Sequence, residues 1–576
     1  MKKISTSITG LLITSFLFAQ SIEIKVKDFG AIPNDKKDDT PAILSALKAC
    51  KNKANPKLIF ESGAYDIYGS QKNSRGNFDP SITIENIDNL TIEGNGAELI
   101  GHDYSTMFHF VNCTNVTVNN LTIDWDPLPF TQGKVVQVDS GYIDIEVLPP
   151  FVAKPGLQTQ AILGYDLKNN RMSRKITDHY QLNYRKTTEV VRPGIMRLFV
   201  GYKDRFAGVM PTIGNYIIAR HHVYGYQAYE FTKCANVQLE NITIYSSPGM
   251  GVTGKECRNI SINHLKVMIR PGSGRWMSST ADATHFRACR GSLTMTNCLF
   301  EGMGDDATNV RSSEYLLVAE QLSVNKVKLK TGNHYGGKPL PPQTGDKLEL
   351  SSGNVPLLPY STLTVRSVDT TEDGKALIVG FLENLPQNLQ IGDIAGNATS
   401  CPILRIQNCV VINNRSRGFI IKTRNAIIED CTFQDITGCG IALETDINAW
   451  WEAISASDVI IRNNRFVNVK FEPGYLHGVI EFHTMSSAIP AGVYREISIE
   501  NNIFLGSTGN ILKIGSADGV DIKNNIMDQP EEEAIFLYNS KNIRIYGNRL
   551  SNCKAPLKIG EGCDKATITT ERNIGF

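Results

Sequence analysis

The sequence predicts an all-β fold, a parallel β-helix that carries two small inserted antiparallel β-barrels. Three observations lead to this prediction. A unit of alternating apolar residues followed by Asn recurs about every 23 residues near the C-terminus. The repeat is interrupted twice, with 121 residues between Val116 and Val237 and 111 residues between Leu293 and Leu404. Both interruptions contain strand patterns of alternating apolar residues with Gly and Asp at the turns, which is typical of antiparallel β-structure.

Residues 1–20 read as an export signal. Lys2 and Lys3 precede a short apolar run over 11–19, and the small residue Ala19 allows cleavage near residues 19–20. A transmembrane anchor is the weaker alternative because the run falls short of about 20 apolar residues. We therefore expect an exported protein, periplasmic or secreted, with no membrane span.

Residues 21–125 are predicted to form an N-terminal cap and the first coils. A strand near Ile24 precedes a helical pattern that has Asp39 or Thr40 as its cap and Pro41 at the first helical position. The first coil of a solenoid needs a cap because it would otherwise expose its sheet edge and its apolar interior. This opening resembles the cap of pectate-lyase-like right-handed β-helices.

Residues 224–313 and 401–576 are predicted to be β-helix coils. The unit that starts at Ile497 recurs from Val520 and Ile543 and, in degenerate form, from Ala566. Such a period suits coils that stack one apolar stripe on the next, with Asn ladders at the turns. A leucine-rich repeat has a similar period, but its fixed leucine framework is missing from this sequence.

The two interruptions, residues 126–223 and 314–400, are predicted to be the inserted barrels. Both leave the solenoid near the coils that carry Asp282, Asp305 and Asp306, and the second begins eight residues after Asp306. Insertions in solenoids usually gather on the binding face.

Composition excludes several classes of function. The 59 basic and 58 acidic residues balance, so neither nucleic acid nor an anionic membrane is an expected partner. The 12 cysteines include no CxxC pair, which argues against zinc. Cys113, Cys298, Cys409 and Cys431 each follow Asn or Asp in the repeat, and we expect stacked buried thiols there rather than a disulfide framework.

Asp282, Asp305 and Asp306 are the candidate catalytic residues. Asp305 and Asp306 follow Asp282 by 23 and 24 residues, one coil along the solenoid, so the three side chains should face one another. Glycosidic cleavage needs one protonated and one ionised carboxyl group, and mutual repulsion raises the pKa of at least one of them. Turn capping and a calcium site in a polysaccharide lyase are the alternatives. In such a lyase, a basic residue must lie near the sugar carboxylate, and Arg270, Arg287 and Arg311 are the candidates.

A second set of residues is predicted to contact a sugar. Aromatic rings would stack on its apolar face, and charged groups would bind its hydroxyls. The candidates are Trp276, His285, Arg287, Arg270, Arg311, Lys422, Arg424, Glu444, Trp450 and Glu481.

Two motifs carry a resemblance to known families. Asp282 in Ser-Thr-Ala-Asp and the Gly-Asp-Asp at 304–306 resemble motifs of polygalacturonases, although Arg415-Ser-Arg-Gly stands where their Gly-His-Gly should follow. The whole mature chain, including Ala281-Asp-Ala-Thr-His285 and Gly304-Asp-Asp-Ala307, is more similar to glycoside hydrolase family 110, the exported bacterial α-1,3-galactosidases.

That resemblance implies an inverting enzyme that removes terminal α-1,3-linked galactose, either blood-group-B-type or linear. By it, Asp282 is the general acid, while Asp305 and Asp306 position and deprotonate water. It implies no metal and no other cofactor, and a glycan with terminal α-galactose as the partner. A calcium-dependent lyase and a non-catalytic glycan-binding β-helix remain as alternatives. Oligomeric state stays open, since the barrels could pack between subunits.

Overall fold

The computed structural model describes residues 21–69, 72, 78–176, 178–180, 185–201, 209–332, 338–448, 450–471, 478–484 and 489–576. The predicted export signal lies outside these residues. No helix in the described part of the chain is long and apolar enough to cross a membrane.

The fold is a right-handed parallel β-helix, as predicted. Its strands pair in parallel with the next coil, and their apolar side chains form one continuous core. Among the described residues, one sheet has twelve strands: Ile82–Glu85, Phe108–Val111, Tyr226–Thr232, Gly249–Lys255, Thr284–Arg287, Thr308–Arg311, Phe419–Lys422, Ile441–Glu444, Gly478–His483, Asn510–Gly515, Ile535–Tyr538 and Leu557–Ile559. We call it the twelve-stranded sheet.

A second parallel sheet covers the other faces of the coils. Its strands in the described residues number twenty-four: Ile22–Lys25, Pro56–Ile59, Ala64–Ile67, Thr91–Gly101, Thr114–Trp125, Ala235–Glu240, Thr243–Ile244, Arg258–Asn263, Lys266–Val267, Arg290–Thr296, Leu299–Glu301, Ile403–Gln407, Val410–Ile412, Arg424–Glu429, Thr432–Ile436, Ser457–Arg462, Arg465–Val469, Tyr494–Glu500, Ile503–Ser507, Ala517–Lys523, Ile526–Pro530, Lys541–Tyr546, Arg549–Ser551 and Ile568–Glu571.

Strand register follows the repeat in the sequence. Val116 pairs with Val237, so the coils on either side of the first interruption are direct neighbours. Leu293 pairs with Leu404 across the second interruption in the same way. The last copy of the repeat differs from the prediction, because Ile543 pairs with Ile568 and the final unit therefore does not start at Ala566. The short 3₁₀ turn Lys565–Thr567 occupies the extra residues.

One α-helix, Thr40–Cys50, covers the N-terminal end of the core in the described residues. It follows the 3₁₀ turn Val26–Phe29 and buries Ile43, Ala46 and Leu47 against the first coil. Asp39 precedes the helix as predicted, but its carboxylate does not cap it. That carboxylate accepts the backbone N–H groups of Ile32 and Asp66 instead, at 2.9 and 3.1 Å, and so ties the cap to the first coil.

The turns between coils are held by a ladder of buried asparagines. The side-chain oxygen of Asn525 accepts both the backbone and the amide N–H of Asn502, at 2.9 and 3.0 Å, and the amide of Asn525 donates to the carbonyl of Ile499. Because these groups are fully buried, each rung satisfies polar atoms that water does not reach. The same pattern repeats along Asn464, Asn502, Asn525, Asn548 and Asn573.

The cysteines of the repeat are free thiols in the core, as predicted. Cys113, Cys298, Cys409 and Cys431 are all buried and unbridged. Their Sγ atoms point toward backbone carbonyls of their own or the preceding coil. They act as small apolar residues in the coil interior.

The first inserted unit is an antiparallel sheet. Its described strands are Phe130–Val138, Tyr142–Val147, Ala161–Asp166, Arg171–Met172, His179–Tyr180, Glu189–Arg192, Ile195–Phe199 and Tyr216–Arg220. A small barrel was predicted here, but the pairing order of the described strands runs from Arg171–Met172 to Glu189–Arg192 without closing. Within the described residues, each of these two terminal strands pairs on one edge only.

The second inserted unit is a closed six-stranded barrel with its own apolar core. Its strands are Leu316–Ser323, Lys326–Thr331, Lys347–Ser351, Pro359–Thr370, Ala376–Phe381 and Ile394–Asn397. Two bidentate ion pairs join the barrel to the β-helix. Arg290 holds Asp346 at 2.6 and 2.7 Å, and Arg424 holds Glu349 at 2.7 and 2.8 Å.

The first insert also contacts the later coils. Arg171 pairs with Asp435 at 2.6 Å, and the backbone N–H of Met172 donates to the side chain of Asn413 at 2.9 Å. The insert therefore reaches later coils of the β-helix at strands of the second parallel sheet, and its residues 178–180 come close to Asp305 and Arg415.

Candidate active site

Three successive strands of the twelve-stranded sheet place the candidate residues. Thr284 pairs with Thr308, and Thr308 pairs with Phe419. Asp282, Asp306 and Arg417 each stand two residues before these three paired residues. They therefore lie level with one another on three neighbouring coils. The backbone N–H of Ala283 donates to the carbonyl of Asp306 at 2.9 Å, which extends this register past the strand ends.

A glycine sets the approach of the second coil to the first. A Cβ atom at Gly304 would lie 2.4 Å from the backbone carbonyl of Thr280, so no other residue fits there. The fully buried guanidinium of Arg220 donates to the backbone carbonyls of Thr280, at 3.0 Å, and of Gly304, at 2.8 Å. The turn that presents Asp305 is thereby fixed from two sides.

The three carboxyl groups form one tight cluster. One oxygen of each lies within 4.8 Å of the corresponding oxygens of the other two. Asp282, Asp305 and Asp306 are 4%, 7% and 3% exposed, so all three carboxyl groups are largely covered. A groove of about 560 Å³ lies elsewhere, on the C-terminal coils, and none of the three carboxyl groups lines it.

Asp305 is surrounded by donors. Arg415 contacts one oxygen at 2.7 Å, and the hydroxyl of Tyr224 donates to the other. The hydroxyl of Tyr180 lies 3.5 Å from that second oxygen. Burial opposes ionisation of Asp305, but Arg415 and Arg417 outweigh it, so the pKa of this carboxyl is below its usual value. Asp305 is the ionised member of the cluster.

Asp282 has the opposite electrostatic environment. Its burial and the nearby charge of Asp305 raise the pKa of Asp282 well above its ordinary value. A raised pKa of this kind suits a carboxyl group to act as a general acid. Its Oδ2 atom lies 2.9 Å from Nδ1 of His285.

Asp306 is held by a guanidinium. Nε and one terminal nitrogen of Arg417 donate to its two oxygens at 2.8 and 3.0 Å. Burial, Asp305 and Asp282 raise the pKa of Asp306, while Arg417 opposes the increase. The pKa values of Asp282 and Asp306 are therefore raised, while that of Asp305 is lowered.

A chain of charged side chains links Asp306 back to Asp282. Arg417 donates to Glu444 at 3.1 Å, and Lys422 bridges Glu444 and Glu452. Arg311 then lies 3.1 Å from Glu452 and 3.2 Å from His285. Because every member is buried or half-buried, these contacts fix the side-chain positions around the cluster.

The structure gathers several of the predicted sugar-binding residues in this network. His285, Arg311, Lys422 and Glu444 belong to it directly. Arg287 lies on the neighbouring strand, level with Arg311, and pairs with Glu314.

Other predicted sugar-binding residues lie outside the network. Trp276 stacks on Tyr165 at 4.6 Å in an apolar cluster beneath the first insert. Arg270 pairs with Glu98 and Asp124 on an earlier coil. Arg424 joins the barrel to the β-helix. Trp450 is 43% exposed, and fully buried Glu481 accepts the backbone N–H of Gly478.

Sequence reasoning missed several residues that contact the cluster or its network. Arg415 and Arg417 occupy the place of the expected Gly-His-Gly motif. Their positive charge could have marked them as partners of the three acids. Tyr180 comes from the first insert, whose sequence gives no register with the coils, and Tyr224 lies just before the coil strand Tyr226–Thr232. Glu452 follows a strand end in a loop, and no local pattern marks it.

A cation fits this cluster poorly. Three carboxylate oxygens within 4.8 Å could in principle serve as ligands for a hard metal ion. Two of the three groups already bind guanidinium ions, Arg415 on Asp305 and Arg417 on Asp306. These fixed positive charges lie where a cation would be repelled.

Several known proteins are similar to this chain over most of its length. The chain is 27% identical over 498 residues to alpha-1,3-galactosidase B of Bacteroides thetaiotaomicron, covering 80% of this chain and 78% of the relative. It is 26% identical over 543 residues to alpha-1,3-galactosidase A of Bacteroides fragilis, covering 89% and 88% respectively. The resemblance to bacterial α-1,3-galactosidases is confirmed. These relatives support a glycoside hydrolase function.

Two further similarities concern the fold. Residues 397–570 match the family model described as periplasmic copper-binding protein (NosD), a stretch that covers the C-terminal coils and does not include the three aspartates. A family 28 exopolygalacturonase of Yersinia enterocolitica is 13% identical, with 96% of this chain and 78% of that chain covered and a TM-score of 0.42.

Proposed function

We propose that the protein is an exo-acting, inverting glycoside hydrolase that removes terminal α-1,3-linked galactose from blood-group-B-type or linear glycans. The observation that carries this proposal is the carboxyl cluster, in which a protonated Asp282 lies level with Asp306 and beside an ionised Asp305. The galactosidase relatives supply the substrate class, and they cover most of both chains.

In the proposed reaction, Asp282 donates its proton to the glycosidic oxygen as the C1–O bond breaks. Asp305 and Asp306 orient a water molecule and take its proton, with Asp305 the ionised member at neutral pH. Arg415, Arg417 and Tyr224 hold the two residues in place. This division of work needs two carboxyl groups in opposite protonation states, and the surroundings of Asp282 and Asp305 provide them.

The covered position of the cluster supports exo action. Tyr180 of the first insert lies 3.5 Å from Asp305, and Glu452 belongs to the charged network beside the cluster. Together with the 3–7% exposure of the aspartates, this favours a pocket for one terminal sugar over an open groove for a long polymer.

Inversion rests on the family resemblance, and one distance runs against it. Inverting enzymes usually separate their carboxyl groups by about 6.5–9.5 Å, whereas about 5 Å is typical of retention. The nearest oxygens here lie within 4.8 Å. We favour inversion because a third carboxyl group lies in the cluster, so that Asp305 and Asp306 can hold water without either one attacking the sugar.

A calcium-dependent polysaccharide lyase is the second candidate, and only the clustered carboxylates favour it. A hydrolysis screen separates the two functions. The purified protein is incubated with a linear α-1,3-galactosyl oligosaccharide and with its fucosylated counterpart, with and without chelator. Release of galactose that chelator does not reduce, and that Asp282→Asn abolishes, supports the hydrolase. An unsaturated product that absorbs ultraviolet light, and is lost with chelator, would support the lyase.

We also propose that the protein is exported.

A further inference from the structure

His285 lies between the proposed acid and a buried arginine. Its Nδ1 atom is 2.9 Å from Oδ2 of Asp282, and its Nε2 atom accepts the Nε–H of Arg311 at 3.2 Å. An arginine Nε–H donates and never accepts, so Nε2 of His285 must present a lone pair. The proton of a neutral ring then sits on Nδ1.

We propose that His285 is a positioning residue, a neutral imidazole locked in its Nδ1–H form by Arg311, which donates to Oδ2 of Asp282 and leaves the transferable proton of that acid on Oδ1. The catalytic part of this inference rests on the proposed function, whereas the protonation state of the ring does not.

The surroundings of His285 keep the ring neutral. The groups that face it are Asp282 from the same turn, Arg311 and Lys422 from neighbouring strands, Asp306 from the next coil and Glu452 from the loop after residue 444. Burial and Arg311 lower the pKa of His285 to about 4. A doubly protonated ring would also direct an N–H at the N–H of Arg311, which the observed contact does not allow.

Arg311 is itself held in place. Its Nε lies 3.1 Å from Glu452, and a terminal nitrogen lies 3.2 Å from Glu314. Because two carboxylates fix the guanidinium, its Nε–H cannot easily turn away from His285. The orientation of the acid thus depends on residues from three coils and on the start of the barrel.

The hydrogen bond from His285 matters most as the proton leaves. The O–H bond at Oδ1 of Asp282 breaks, a new O–H bond forms on the leaving oxygen, and the C1–O electron pair goes to that oxygen. Asp282 becomes a carboxylate, which accepts the His285 N–H more strongly than the neutral acid does. Water supplies the hydroxyl group, and its proton goes to the Asp305–Asp306 pair.

The protonation state can be measured without any turnover. Histidine-selective ¹⁵N labelling, with His285→Asn to assign the signal, distinguishes a protonated ring nitrogen from a bare one. We expect one bare and one protonated nitrogen, with the proton on Nδ1, between about pH 5 and 8. A proton on Nε2, or a doubly protonated ring at neutral pH, would overturn the proposal.

Kinetics tests the catalytic part. We expect His285→Phe to lower kcat roughly ten- to a hundredfold on an α-1,3-linked digalactoside, because a charge-assisted hydrogen bond is lost. The loss should be much smaller on a nitrophenyl α-galactoside, whose leaving group needs little protonation. His285→Asn, whose amide can still donate to Asp282, should keep most of the activity. His109→Asn, on an earlier strand of the same sheet, is the matched control.

The pH profile gives a readout that a purely structural role would not change. Removal of a donor to the carboxylate raises the pKa of Asp282, so the alkaline limb should move to higher pH in His285→Phe. Arg311→Met is the second variant, and in it the Nδ1–H form should no longer dominate the ¹⁵N spectrum. An equal loss on both substrates with an unmoved alkaline limb would refute the role. If the wild-type protein cleaves no galactoside, the proposed function fails, and the ¹⁵N experiment still decides the state of the ring.

Discussion

Asp306 and Arg417 lie level on neighbouring coils, although 111 residues separate them in the chain, and the guanidinium holds both oxygens of the carboxylate at 2.8 and 3.0 Å. The second insert occupies the intervening sequence and leaves the stacking of the coils undisturbed. One face of the solenoid thus combines an acid from one coil with its counter-ion from the next.

The first prediction concerns this pair. Arg417→Met should lower kcat/KM for an α-1,3-galactoside by about a hundredfold or more, because Asp306 loses its fixed position and its counter-ion. Arg417 also donates to Glu444, so the change releases the next link of the network as well. Steady-state kinetics provides the measurement. Arg544→Met is the matched control, since Arg544 forms the same bidentate contact with Asp521 on a C-terminal coil. Equal activity of the two variants would contradict the prediction.

The second prediction concerns the acidic limb of the pH profile. Arg415 is a principal cause of the lowered pKa of Asp305, against the opposing effect of burial. A depressed carboxyl pKa means that Asp305 stays ionised into the acidic range, and that activity is lost as pH falls through that pKa. Arg415→Met should raise the pKa, so the acidic limb of kcat/KM should move to higher pH.

The control for that experiment is Arg405→Met. Arg405 pairs with Glu429 at 2.9 Å on a C-terminal coil and is absent from the site. Its profile should match that of the wild type. An acidic limb that stays in place in Arg415→Met would show that Asp305 is not the base that the limb reports.

Some of the fold and part of the site were predictable from sequence, for physical reasons. A stacked coil must repeat its apolar stripe, so the pairs Val116–Val237 and Leu293–Leu404 could be read directly from the repeat. The same repeat brought Asp282 near the Gly-Asp-Asp turn. It could not decide which aspartate lies level with Asp282, because coil length varies by a residue or more, and the structure selects Asp306.

The remaining contacts depend on packing that leaves no local pattern. Tyr180 approaches Asp305 because the first insert docks on the coils, and an alternating strand pattern contains no information about docking. Glu452 lies in a loop whose path is set by its ion pairs with Lys422 and Arg311. Trp276 illustrates the opposite case, since an aromatic residue near the site packs against Tyr165 in an apolar cluster.

The third prediction concerns stereochemistry. If Asp305 and Asp306 activate water, the first galactose released from an α-linked substrate is the β anomer, which then mutarotates. Proton magnetic resonance of the early reaction mixture distinguishes the two anomers. The α anomer first would mean retention, in keeping with the short distance between the nearest carboxyl oxygens, and would assign one aspartate as a nucleophile.

The fourth prediction concerns the asparagine ladder, which lies away from the site. Asn525→Ala removes the oxygen that accepts two N–H groups of Asn502 and the amide that serves the carbonyl of Ile499. Since these groups are buried, they would be left without partners, and the free energy of unfolding should fall by about 3 kcal/mol. Denaturant unfolding followed by circular dichroism measures the change.

The control is Asn542→Ala, at an exposed asparagine on the following coil, which should lower the free energy of unfolding far less. Activity on an α-1,3-galactoside should survive in both variants at low temperature, because neither residue contacts the carboxyl cluster. Equal stabilities would mean that the buried rungs contribute little beyond what water supplies to the exposed turns.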